Sequence, residues 1–146
     1  MGLSTTHDCW HGPYSAFTHW RNMLAVTAGY QLMHPTPEEI ADGAIPSHRY
    51  AMIEWTGISQ ENFAGEWTRT PPDPLIVLLA HSDCDGVIHP EQGGPLAGRL
   101  EGLLPLVPDY PYPLNAPIPD YWRDQTRAFI DGLREAWRLG EDVGFN

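Results

Sequence analysis

The densest cluster of chemistry-bearing side chains is His81-Ser82-Asp83-Cys84-Asp85-Gly86, directly after the longest apolar run, Leu75 to Ala80. Two carboxylates two residues apart, turned by a glycine, can share one cation, and carboxylate oxygens suit Mg²⁺ or Ca²⁺. Asp83 and Asp85, with His81 beside them, are therefore the candidate metal ligands. A divalent metal ion is the cofactor they would take, and metal-dependent hydrolysis is the chemistry it would support. The plainer alternative is that loop aspartates bond nearby backbone N–H groups while Gly86 supplies a positive φ. Cys84 sits near His81 and His89, but its flanking aspartates oppose the lowered pKa that a nucleophilic thiol needs.

A second cluster is His7-Asp8-Cys9-Trp10-His11. Imidazole and thiolate ligate zinc, and His-x-Cys-x-His brings three such groups into one stretch. His81, Cys84 or His89 would complete a tetrahedron, although the spacing matches no standard zinc module. The candidate ligand-binding set is thus His7, His11, His81, Asp83, Cys84 and Asp85. The two cysteines, Cys9 and Cys84, stand in similar contexts and are expected to be free thiols in a reducing compartment, with pairing as the alternative.

Asp83-Cys84-Asp85-Gly86-Val87-Ile88 resembles the first motif of haloacid-dehalogenase-like phosphatases, in which the first Asp is the nucleophile and the second the general acid/base. Here Ser82 replaces the apolar residue before Asp83, only 60 residues follow Gly86, and the chain has no Lys for the later motif. The same stretch resembles the middle of an EF-hand loop. His81 stands where that loop begins with Asp, and Gln92 where it ends with Glu. Thr6-His7-Asp8-Cys9-Trp10-His11-Gly12, the His81–Gly86 segment and the closing Gly-Glu-Asp-Val-Gly-Phe are together similar to a group of small proteins of actinobacteria and their phages. That resemblance spans about half the chain, carries no assigned activity, and implies a small accessory role.

The elements that would position these groups are readable from spacing. Pro13 followed by Phe17, Trp20, Leu24 and Ala28 predicts a helix over 13–28, stopped by Gly29. Thr36-Pro37-Glu38-Glu39 is a capping box opening a short helix that ends near Gly43. Residues 49–55 read as a strand, and 59–64 as a helical turn or two. Leu75–Leu79, apolar and β-branched in its middle, reads as a strand buried on both faces, with the His81–Gly86 loop at its carboxyl end, where α/β proteins place ligands. Pro95 is expected to begin a helix with Leu96, Leu100, Leu103, Leu104 and Val107 on one face. Residues 105–119 hold six prolines and read as an extended loop in which Tyr110 and Tyr112, with Tyr121 and Trp122 beyond it, either serve recognition or close the core. Asp120 is placed to cap a helix over 121–139 with an apolar stripe of Trp122, Phe129, Ile130, Leu133 and Trp137 and a solvated face of i,i+3 charge pairs.

The expected fold is α+β in a single domain over 1–146: a small sheet of three to five strands packed against the N-terminal helix and the long C-terminal amphipathic helix. No apolar run approaches a membrane span, and no signal peptide is evident, so the cytoplasm is the expected location. Eight basic residues, all Arg, stand against nineteen acidic ones, a net charge of −11 that disfavours nucleic acid and anionic membrane as partners. The absence of Lys excludes Schiff-base chemistry. No complete catalytic pattern is present. The reading is a small accessory binding module, phage-encoded by its resemblance, that captures a small ligand or a host protein; the alternative is the hydrolase built on Asp83 and Asp85. Oligomeric state is not legible.

Overall fold

The computed structural model describes residues 2–29, 31–32, 53–54, 73–79, 81, 85–108 and 120–146. In chain order these form β1 (Gly2–Ser4), a 3-10 turn (Thr6–Asp8), β2 (His11–Pro13), α1 (Tyr14–Thr27), β3 (Gln31–Leu32), β4 (Ile53–Glu54), α2 (Leu75–Leu79), β5 (Val87–Ile88), α3 (Pro90–Leu103), a second 3-10 turn (Leu104–Leu106), α4 (Tyr121–Leu139) and β6 (Val143–Gly144). The expected helices at 36–43 and 59–64, and all of the 49–55 strand except β4, fall outside the described residues. So do Tyr110 and Tyr112.

Helix and strand are mixed, as the patterning implies, but the single sheet of three to five strands is not found among the described residues. The described strands form three separate antiparallel ladders, β1–β2, β3–β4 and β5–β6. The reason lies at Leu75–Leu79, which is a helix and not the central strand. Its five side chains are all buried, and continuous burial leaves no periodicity to separate helix from strand. The deciding residues are the two before it. The Asp73 carboxylate accepts the Leu75 N–H at 3.0 Å, and Pro74 follows Asp73 at the entry to the helix. At the other end Arg21 donates to the carbonyls of Leu78, Leu79 and His81, at 3.4, 3.4 and 2.6 Å. Helical carbonyls left without partners are thereby satisfied.

α1 buries Phe17, Trp20, Met23, Leu24 and Ala25, and it stops at Gly29, whose φ of +96° suits glycine. α4 has the predicted bounds, with Trp122, Phe129, Ile130 and Leu133 buried and Gly140 left-handed at its end. Two details of it differ. Asp120 is itself left-handed (φ 63°) and makes no side-chain cap; its carboxylate accepts instead from Arg123 at 2.7 Å. Trp137, placed in the apolar stripe by spacing, is 60% exposed. α3 begins at Pro90 and not at Pro95, because His89 and Gln92 form a capping box ahead of it, and Pro95 lies within the helix. Leu96, Leu100, Leu103 and Val107 are buried as the spacing requires. The polar stretch 2–13 is a tight hairpin around the first 3-10 turn, with His7 and Asp8 both left-handed (φ 59° and 53°).

The core is aromatic. Trp10 meets Phe17 and Trp20 at 5.1 Å between ring centroids, and Trp20 meets Phe129 at 5.0 Å. The Trp20 indole donates to the Thr126 hydroxyl at 3.1 Å, which in turn donates to the Trp122 carbonyl at 2.7 Å. This buried polar thread ties α1 to α4 beside the Trp20–Phe129 ring contact.

Candidate functional site

Among the described residues, those singled out by sequence are engaged in structural contacts. His7, His81 and His89 each hold the segment that follows α4. His7 Nε2 lies 3.1 Å from the Glu141 carboxylate, and His89 Nδ1 lies 3.0 Å from that of Asp142. The His81 ring stacks on Phe145 at 4.0 Å, with its Nε2 3.0 Å from the Val87 carbonyl. Gly86 has a φ of +91°, and its Cα lies under His81: a Cβ there would stand 3.3 Å from the His81 ring. Thr6 joins the same clasp by accepting the Gly144 N–H at 2.8 Å. His11 is elsewhere, exposed on β2 opposite Ser4, and Asp85 is exposed before β5. Asp83 and Cys84 lie outside the described residues. Among the described residues no three His, Cys, Asp or Glu side chains are grouped to hold a metal ion.

Cys9 is a free thiol buried in the core. Burial pushes it up to about 12, with the Asp8 carboxylate adding to the rise against a hydrogen bond to Thr5. A thiol so placed stays protonated near neutral pH. The raised value also has a sign for stability. Above the ordinary thiol range near 9 the unfolded chain loses this proton while the native one keeps it, so stability falls as pH rises from about 9 towards 12. The limiting slope is about 1.4 kcal/mol per pH unit. Urea melts at pH 8 and pH 10.5 should show a loss in the native sequence that is clearly smaller in Cys9→Ala; equal losses in both would mean that the Cys9 thiol is not shielded as placed.

The concave feature that sequence reasoning missed lies between α3 and α4. Gly94, Pro95, Arg134, Trp137 and Arg138 line an open groove of about 540 Å³. The edge of the Trp137 indole rests on Gly94, where a Cβ would stand 3.3 Å from its Cδ1 and Nε1. Around it, Arg134 pairs with Glu101, and Arg138 pairs with Glu135 at 2.7 Å. Arg138 holds the exposed Glu135 carboxyl below the usual carboxylate range through that bond. Arg123 and Arg127 pair with Asp120 and Asp124 one turn back. At 3.6 residues per turn, Arg123, Arg127, Arg134 and Arg138 fall within an arc of about 60° on α4, with Trp137 about 40° beyond it. Half of the chain's arginines stand on this one stripe.

α3 supplies the other wall, and its solvent side is unusually bare. Gly94, Gly98 and Gly102 recur every fourth residue, so they share one face. A Cβ at Gly98 or Gly102 would meet nothing within 4 Å. Glycine in an exposed helix interior costs about 1 kcal/mol relative to alanine, and packing within the described residues does not require it at these two positions. The sequence signal was the four-residue glycine spacing, hidden by starting the helix at Pro95.

No helix among the described residues is long and apolar enough to cross a membrane. Comparisons with family models, with curated proteins and with solved structures found no match.

Proposed function

We propose that this chain is a small accessory binding module that holds a protein partner against the α3–α4 groove, the kind of role implied by its likeness to proteins of actinobacteria and their phages. The observation that carries this reading is Trp137, exposed between two arginines over a helix face floored by glycine. Trp and Arg are the side chains most enriched among residues that dominate binding energy. Bare glycine on a helix lets another backbone approach closely. His7, His89 and His81 are engaged with Glu141, Asp142 and Phe145 in turn.

A photo-crosslinking residue at Gly98, compared with one at the exposed His11 on the β1–β2 hairpin, tests the reading in cells of the source organism. Discrete protein adducts are expected from position 98 only, and Trp137→Ala should remove them. Equal labelling from both positions, or adducts indifferent to Trp137, would refute the groove as a binding face.

A further inference from the structure

We infer that the segment after α4, residues 141–146, is a pH-sensitive strap: its hold on the fold tightens as His7 and His89 take up protons, a device independent of the α3–α4 groove. Its hinge is Gly140, left-handed at φ 69°, where a Cβ would meet nothing within 4 Å, so the backbone has room to turn. Beyond the hinge, Val143 and Phe145 are buried. Polar contacts then tie the strap to three separate places: the first 3-10 turn through Thr6 and His7, the Gly86 carbonyl ahead of β5, and His89 at the entry to α3. Two of these ties depend on the charge of a ring. His7 Nε2 stands 3.1 Å from Glu141 and His89 Nδ1 3.0 Å from Asp142, on adjacent residues of the strap. A neutral imidazole can donate a hydrogen bond to a carboxylate, and an imidazolium adds ionic attraction and strengthens it. Histidine is the side chain whose charge ordinarily changes between about pH 5 and 8, where ordinary carboxylates keep theirs.

The surroundings of each ring give the sign. Around His7 stand Glu141 on the strap, Glu135 on α4, whose carboxylate senses the His7 charge, and Asp8 in the same turn. Asp131 is next to Gly132, the α4 residue on which the turn packs. Arg138 stands with them but is held by Glu135 at 2.7 Å, and β6 contributes no charge. Acidic groups therefore prevail around His7, and its proton is favoured when the strap is closed. His89 faces Asp142, with Glu91 in the first turn of α3. The α4 residues on the start of α3, Leu133 and Trp137, are uncharged, as are Val87 and Ile88 of β5. The positive end of the α3 dipole opposes a cation at His89, so His7 is the stronger sensor. His81 adds ring stacking on Phe145. The chain as a whole carries a net charge of −11, so each proton gained also relieves repulsion. Glu141 and Asp142 are 59% and 47% exposed, so each pair is weak alone, and the response comes from two pairs pulling on one strap.

NMR-detected hydrogen exchange on the full chain reads the strap directly. The Gly144 and Phe145 N–H groups, bonded to the Thr6 hydroxyl and the Gly86 carbonyl, report its opening, and the amides of α4 are the internal reference. Once the intrinsic pH dependence of exchange is removed, protection of the strap relative to α4 should fall about two- to fivefold per pair from about pH 5 to about pH 8, the range open to exposed ion pairs. Two double variants remove opposite halves of the device. His7→Asn/His89→Gln removes both rings, with Asn at position 7 because it tolerates the left-handed backbone there. Glu141→Gln/Asp142→Asn removes both carboxylates and leaves the rings. Each should flatten the profile. A native profile that is already flat, or one that persists undiminished in either double variant, would overturn the inference. The native chain at about 0.5 M salt gives a check that needs no variant: screening should shrink the difference between the two pH values, and a difference indifferent to salt would count against the strap as decisively.

Discussion

Gly132→Ala should destabilise the fold by about 2–3 kcal/mol, although alanine is the better helix former by about 1 kcal/mol. A Cβ at this position would stand 2.4 Å from Cys9 Sγ, 2.7 Å from the His7 carbonyl oxygen and 3.1 Å from Cys9 Cα. Two of those atoms are backbone, so no rotamer change relieves the clash. The loop has little freedom to retreat, because His7 and Asp8 already hold left-handed conformations and His7 is tied to Glu141. Relief requires α4 to move off the hairpin, which would open the core around Cys9. Urea denaturation measures the loss, and reaction of Cys9 with a thiol reagent reports the opening. Gly98→Ala is the matched control: with nothing within 4 Å, it should raise stability by up to about 1 kcal/mol. Equal behaviour of the two variants would mean that α4 does not seat against the hairpin as described.

Trp20→Ala should cost about 3–5 kcal/mol, a large part of the 5–15 kcal/mol that holds a domain of this size. Trp20 is fully buried, contacts Trp10, Phe17 and Phe129 ring to ring, and joins α1 to α4 through Thr126. Its removal takes away both the apolar centre and the polar link. Thr126→Val separates the two contributions: the shape is kept, the indole N–H loses its acceptor, and the expected cost is about 1–3 kcal/mol. Thermal melts of the two variants should therefore fall in that order. A Thr126→Val variant as damaged as Trp20→Ala would show that the hydrogen bond, and not ring burial, dominates.

The sequence was most informative where periodicity had length to work with. Nineteen residues of α4 and fourteen of α1 carry enough turns for apolar spacing to mark both their faces and their ends. It misled over Leu75–Leu79, where side-chain propensity favoured a strand; the Asp73-Pro74 cap and the Arg21 bonds from another helix made it helical. Trp137 shows the limit of a stripe drawn on one helix alone, since the neighbour that leaves it exposed is the glycine face of α3. At the candidate site the same limit applies. The spacing of His7, His81 and His89 advertises ligands, but their partners come from Glu141 to Phe145, which no local pattern connects to them. The groove needed two helices placed side by side before Arg134, Trp137 and Gly94 could be seen as one feature.

The clasp around the segment after α4 also bears on how the molecule assembles. Ser4 and Asn146 exchange both backbone hydrogen bonds, at 3.1 and 2.8 Å, and Thr5 bridges Phe145 beside them. These contacts close a long ring, from Ser4 to Asn146. The entropy of closure grows only logarithmically, about 0.6 kcal/mol for each doubling of the loop, so so long a ring is thermodynamically inexpensive. In time the balance is different: contacts between neighbours in sequence, such as those of α3 with its following turn, form before contacts that must wait for distant segments to meet. The seam between Ser4–Thr5 and Phe145–Asn146 is then expected to close late, and a chain arrested before it would present Phe145, Ile88 and the rim of the aromatic core to solvent.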